Sequence, residues 1–163
     1  VNICVVNFSP TLLSSQIQSK LCVNPELRDK SDSARYWRLR KIYMYHRRFF
    51  REDYGDDEFF MLSAFQDRIS GRPNEYLTGG TGLPTLIKWL ETQADSNNCY
   101  VLSGRRKMQF LQPLLEYDAE HWIGMNQEHD FQHCAPDKNV FLPFPIYFPG
   151  TAYNLNFVME TEE

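Results

Sequence analysis

The apolar positions of this chain change period along its length, and the periods mark out its elements. Residues 1–8, VNICVVNF, have a continuous β-branched centre at Ile3–Val6 and predict a strand buried on both faces. Ser9-Pro10 ends it. Leu12, Leu13, Ile17 and Leu21 then approach helical spacing over Thr11–Leu21. Residues 33–51, SARYWRLRKIYMYHRRFFR, give the strongest helical signal. Leu39, Ile42, Tyr43, His46, Phe49 and Phe50 fall on one face, with Asp32 or Ser33 as the cap and Tyr54-Gly55 as the stop. Phe59, Phe60, Leu62, Phe65 and Ile69 predict another helix over Asp57–Ile69, capped by Asp56 or Asp57.

Beyond it, residues 70–82 (SGRPNEYLTGGTG) are loop-like, with a short strand at Glu75–Thr78. Pro84 opens a helix that runs to about Thr92 through Leu86, Ile87, Trp89 and Leu90. Cys99–Leu102 is a second continuous apolar run. Ser103-Gly104 reads as a turn, and Arg105–Tyr117 as a helix with Met108, Leu111, Leu114 and Leu115 inward. Val140–Pro149 is apolar but broken by prolines, which suits an edge or covering segment. Ala152–Glu160 alternates, with Tyr153, Leu155, Phe157 and Met159 on one side, as an antiparallel or edge strand does.

These elements predict one α/β domain: a mixed sheet with residues 1–8 and 99–103 as its central, parallel strands, and helices packed on it. The alternative is α+β with a C-terminal meander. At 163 residues the chain is long enough for one core, and its 42% hydrophobic content fits a folded domain rather than disorder. It starts at Val rather than Met, which suggests a processed product or a domain excised from a larger protein or polyprotein. Uncharged runs at 1–19 and 139–159 are too rich in polar residues or proline to span a membrane.

Charge changes the picture. Residues 35–51 hold 7 of the 17 Lys and Arg and no acid, so a basic helix sits on a body of net charge −11 within a chain of net charge −4. The face opposite the apolar stripe carries Arg40, Lys41, Arg47, Arg48 and Arg51, with Trp37 and Met44 among them. Arginine supplies phosphate contacts and tryptophan a stacking plane. The pattern therefore points to a non-enzymatic recognition module that contacts RNA, DNA or an acidic protein without a cofactor. Under the bland reading, the acids at 52–58 neutralise these arginines.

Two turns carry the alternative of a nucleotide- or phosphate-binding enzyme. Gly79, Gly80, Thr81 and Gly82 precede a helix, and Ser103, Gly104, Arg105 and Arg106 link strand to helix. Helix N-termini opened by glycine can hold an anion, but neither turn carries a phosphate-loop or dinucleotide motif. His121, His129, His133 and Cys134 are the only residues with any claim to a metal, and their spacing is a poor warrant for one. His46, on the apolar face, reads as a hydrogen-bonded core histidine. Four scattered cysteines without a CxxC pair suit free thiols in a reducing cytoplasmic or nuclear setting.

Overall fold

The computed structural model describes residues 1–23, 34–52, 54–71, 80–94 and 98–158. Along them run β1 (Asn2–Phe8), α1 (Leu13–Val23), α2 (Ala34–Phe49), α3 (Asp56–Ser63), α4 (Gly82–Gln93), β2 (Tyr100–Gln109), a short 3-10 turn at Gln112–Leu114, and β3 (Phe141–Asn156). The fold is mixed α/β, with helices packed on a three-stranded antiparallel sheet of order β1-β3-β2. The expected Glu75–Thr78 strand lies outside the described residues.

The strand layout corrects the sequence expectation. The two runs taken as central and parallel are the edges, and both pair antiparallel with β3. β1 is exposed at every position. A continuous apolar run fits burial on both faces, but it does not say where in the sheet the strand lies.

β3 explains its own prolines. Only Gly150–Asn156 pairs with β1, in unbroken register from Asn2↔Asn156 to Phe8↔Gly150. The stretch from Phe141 to Phe148 pairs with β2 alone, so it has a free edge there. Pro143, Pro145 and Pro149 all precede the shared stretch, where a missing N–H breaks no ladder to β1. The edge expectation holds for that half, whereas the alternating half becomes the middle of the sheet. Gly150 joins the two at φ +111°, and a Cβ there would strike the backbone oxygen of Asn7.

The predicted helix at Arg105–Tyr117 does not form. The chain continues as β2, and Ser103-Gly104 is not a turn. Register against β3 slips between Leu102 and Gly104 and again between Gly104 and Arg106. These bulges carry the inward set from odd positions, Val101 and Ser103, to even ones, Met108 and Phe110. The parity switch disguised the alternation and left an accidental helical spacing.

The helices follow their patterns more closely. α3 is shorter than predicted, and its cap is Gly55, whose N–H donates to the Glu58 carboxylate at 3.1 Å. α2 buries Tyr36, Leu39, Ile42 and His46, while Phe49 is exposed because the helix ends there and the chain turns away. Trp89 of α4 also faces outward. The core joins these helices to Val101, Met108 and Leu155 of the sheet.

Residues 115–140 have little regular structure yet bury Trp122, Ile123, Met125 and Phe131. Side chains meet their backbone groups. Gln66 donates to Ile123 O at 2.9 Å and accepts from Ile123 N at 2.8 Å. Asn126 donates to Asp130 O at 2.9 Å and accepts from Asp130 N at 3.0 Å. Trp122 stacks on Phe131, which stacks on Phe59, and His46 meets Phe59 and Phe131. This stack joins α2 and α3 to the 115–140 segment and holds α2 in place.

A candidate recognition groove on the basic helix

Tertiary structure divides the basic residues of α2 and of the turn after it into two groups. The first is structural. Arg35 lies over the Trp122 ring at 3.9 Å and donates to the carbonyls of Asp67, Glu120 and His121. Burial lowers its pKa despite Asp67 and Asp118 nearby. Arg38 pairs with Glu120 and donates to Gln132 Oε1 at 2.9 Å. Its hydrogen bond holds the Glu120 carboxyl below the usual range, with Gln132 assisting. Arg47 pairs with Asp56 at 2.6 Å and donates to the Tyr43 hydroxyl at 3.1 Å. That is the pairing expected of the acids at 52–58, and it covers one arginine.

The second group, Arg40, Lys41, Arg48 and Arg51, has no carboxylate partner among the described residues. Lys41 sits 5.3 Å above the Trp37 ring, and Arg48 lies 5.2 Å from the Phe49 ring. Trp37, Lys41, Met44 and Arg48 recur at i, i+4, i+7 and i+11, so they form one stripe along the helix. Trp37 is 37% exposed and Met44 65% exposed.

Beside this stripe a groove of about 480 Å³ runs between α2 and residues 132–133, lined by Trp37, Arg38, Lys41, Ile42, Tyr45, Gln132 and His133. Tyr45 and His133 meet edge to face, with centroids 5.8 Å apart. His133 is held in turn by Asp130, its Nδ1 lying 3.0 Å from the carboxylate. Burial works to raise the Asp130 pKa, but the bonds from His133 and from the backbone N–H groups of His133 and Gln132 outweigh it and lower the net value. The groove thus presents aromatic planes, an ammonium and a histidine on a braced wall.

A second cleft of about 400 Å³ lies between α2 and α3, lined by Tyr43, His46, Arg47, Arg51, Tyr54, residues 55–59 and Arg106. Two of its arginines are internally paired. Arg106 pairs with the buried Glu58 at 2.6 Å, and Arg47 with Asp56. His46 Nδ1 meets the Tyr54 hydroxyl, and burial pulls the imidazole down to a pKa of about 4.

The chain matches no family model, no curated protein and no solved structure.

The phosphate turns fare differently from the helix. Gly79 lies outside the described residues. Thr81 caps α4 and Gly82 begins it, while Gly80 adopts φ +84° against Ile69 and accepts a bond from Arg68 N. Ser103–Arg106 offers no helix N-terminus, because it lies inside β2. The Ser103 hydroxyl instead accepts from Leu13 N at 3.0 Å and donates to Gly150 O at 2.8 Å, clamping α1 to the sheet. Gly104 fits against Leu12, and Arg105 donates to Pro145 O at 2.9 Å.

The histidines and Cys134 do not converge. No group of three or more metal-ligating side chains forms among the described residues. His129 faces Glu116 at 3.7 Å, and His133 belongs to the groove. The four cysteines are free, and Cys4 is exposed rather than buried. No helix among the described residues is long and apolar enough to cross a membrane.

Sequence reading missed Arg38, Tyr45, Gln132 and His133 as groove residues. Trp37, Lys41 and Tyr45 recur every four residues, a usable signal on the helix. The opposing wall is 87 residues or more from Tyr45 in sequence, and no local pattern links them.

Proposed function

We propose that this protein is a non-enzymatic recognition module that binds single-stranded nucleic acid through the outer face of α2. One observation carries the reading. Lys41 and Arg48 have no carboxylate partner among the described residues; Lys41 lies over exposed Trp37 beside the Trp37–Tyr45 groove, and Arg48 continues the same stripe beyond Met44. Bases stack on exposed aromatic rings whatever their sequence, and phosphates take the adjacent cations. The acidic remainder of the chain restricts such binding to this narrow stripe.

Anisotropy of a fluorescein-labelled oligouridylate tests it. Saturable binding is expected, weakened about tenfold by Trp37→Ala and abolished by Lys41→Glu with Arg48→Glu. Binding that ignores all three substitutions would refute the proposal. Arg47 is a poor choice for charge reversal, since its loss would leave Asp56 unpaired.

An acidic protein partner is the second reading, and exposed Met44 and Phe49 support it. Met44 adds apolar surface to the basic face and Phe49 to the end of the helix beside it, which protein interfaces use more than phosphate backbones do. Binding of an acidic peptide without oligouridylate binding, lost on Met44→Asp, would favour it.

A further inference from the structure

Much of the polar lining of the Trp37–Tyr45 groove is already committed. Arg38 pairs with Glu120 and donates to Gln132 Oε1. Gln132 Nε2 donates to Glu120 Oε2 at 3.0 Å. Four other groups have no hydrogen-bond partner among the described residues: the Trp37 indole N–H, the Lys41 ammonium, the Tyr45 hydroxyl and Nε2 of His133. The first two only donate, and the hydroxyl can donate or accept.

The role of His133 Nε2 is set by its neighbour. His133 Nδ1 lies 3.0 Å from Asp130 Oδ2, while Asp130 Oδ1 accepts from the backbone N–H groups of Gln132 and His133 at 2.7 and 3.0 Å. Despite burial, these bonds hold the Asp130 carboxyl below the usual range, so at neutral pH it is ionised and can only accept. A neutral imidazole facing it carries its single proton on Nδ1. Nε2 is then a bare acceptor, on the side of the ring away from Asp130. The Asp130 bond and the edge-to-face contact with Tyr45 orient this ring, although the residue itself is exposed.

Stacking alone does not tell one base from another, because every base has a π face. A directed acceptor does. The pairing edge of uracil has one ring N–H between two carbonyl oxygens, whereas cytosine has a bare ring nitrogen at the same place. An acceptor set among donors complements the uracil edge.

We propose that His133 is the base-reading residue of this groove: Nε2 accepts the ring N–H of a stacked uracil-type base, whose flanking carbonyl oxygens meet the surrounding donors. The assignment rests on single-stranded nucleic-acid binding by this face and adds a base preference to it. Trp37 and the cations hold any strand, and His133 selects among the bases of that strand.

Two fluorescein-labelled oligomers at pH 8 test it: oligouridylate, and the same oligomer built from N3-methyluridine. The methyl group removes the ring N–H and keeps the ring and the phosphates. The unmodified oligomer should bind about fivefold more tightly, the effect of one hydrogen bond. His133→Phe keeps a ring against Tyr45 and removes Nε2. Two backbone N–H groups still bind Asp130 in this variant, so it should stay folded. It should bind the two oligomers equally, through lost affinity for the unmodified one. Equal affinities in the unsubstituted protein, or a preference that survives His133→Phe, would overturn the assignment and leave the binding face standing. Binding of neither oligomer would refute nucleic-acid recognition by this face, and the assignment with it.

Discussion

His46 shows how a single side chain can be legible in type and not in consequence. Its place on the apolar stripe marks it as a core histidine, and it is buried against Tyr54, Phe50, Phe59 and Phe131. Burial lowers its pKa from about 6.5 unfolded to about 4, against weaker upward pulls from the Gln132 and Phe131 backbone and from Asp130. Between those values the unfolded chain holds the extra proton. Stability should therefore fall as pH drops through this window, by up to about 3 kcal/mol. His46→Gln should flatten that part of a urea-midpoint profile against pH. An unchanged slope would assign the loss to other groups. Arg35 is the opposite case. It reads as one more basic residue on a basic helix, but three carbonyls and the Trp122 ring claim it.

Among the elements, β3 carries the most consequence. Prolines in one half and alternation in the other suggest two separate segments. They form one strand because β1 covers only the alternating half. Gly150 at the junction tolerates no side chain: φ is +111°, and a Cβ would meet Asn7 O. Gly150→Ala should cost more than about 2 kcal/mol in chemical denaturation. Gly82→Ala, where a Cβ meets nothing within 4 Å, is the control and should be close to neutral. β2 teaches a related lesson. Its bulges exchange odd for even inward positions, and counting at fixed period finds helix where there is strand.

For the molecule as a whole, charge asymmetry is the governing feature. The basic helix lies on a body of net charge −11, and tertiary pairing removes Arg35, Arg38 and Arg47 from the cations available to a partner. Four have no carboxylate partner among the described residues: Arg40, Lys41 and Arg48 on α2, and Arg51, which lines the cleft between α2 and α3. If all four meet phosphates, the affinity for oligouridylate should fall with salt at a log–log slope of about −3. A slope near zero in a salt titration would exclude phosphate contact by this face. A slope of about −5 would mean that the paired arginines are recruited as well.

By itself, the sequence determined what local periodicity can encode: the α2 core stripe, the presence of a helix through Phe59, Phe60 and Leu62, the helix around Pro84, and a basic-aromatic face worth testing. Each depends on residues within a turn or two of one another. Tertiary structure alone decided which strand is central, which arginines are already paired, and that His133 lines the groove beside Tyr45 and across from Trp37. Those outcomes depend on contacts between residues many positions apart. Strand order, ion pairing and groove walls are settled when distant segments meet, and no short-range pattern records the meeting.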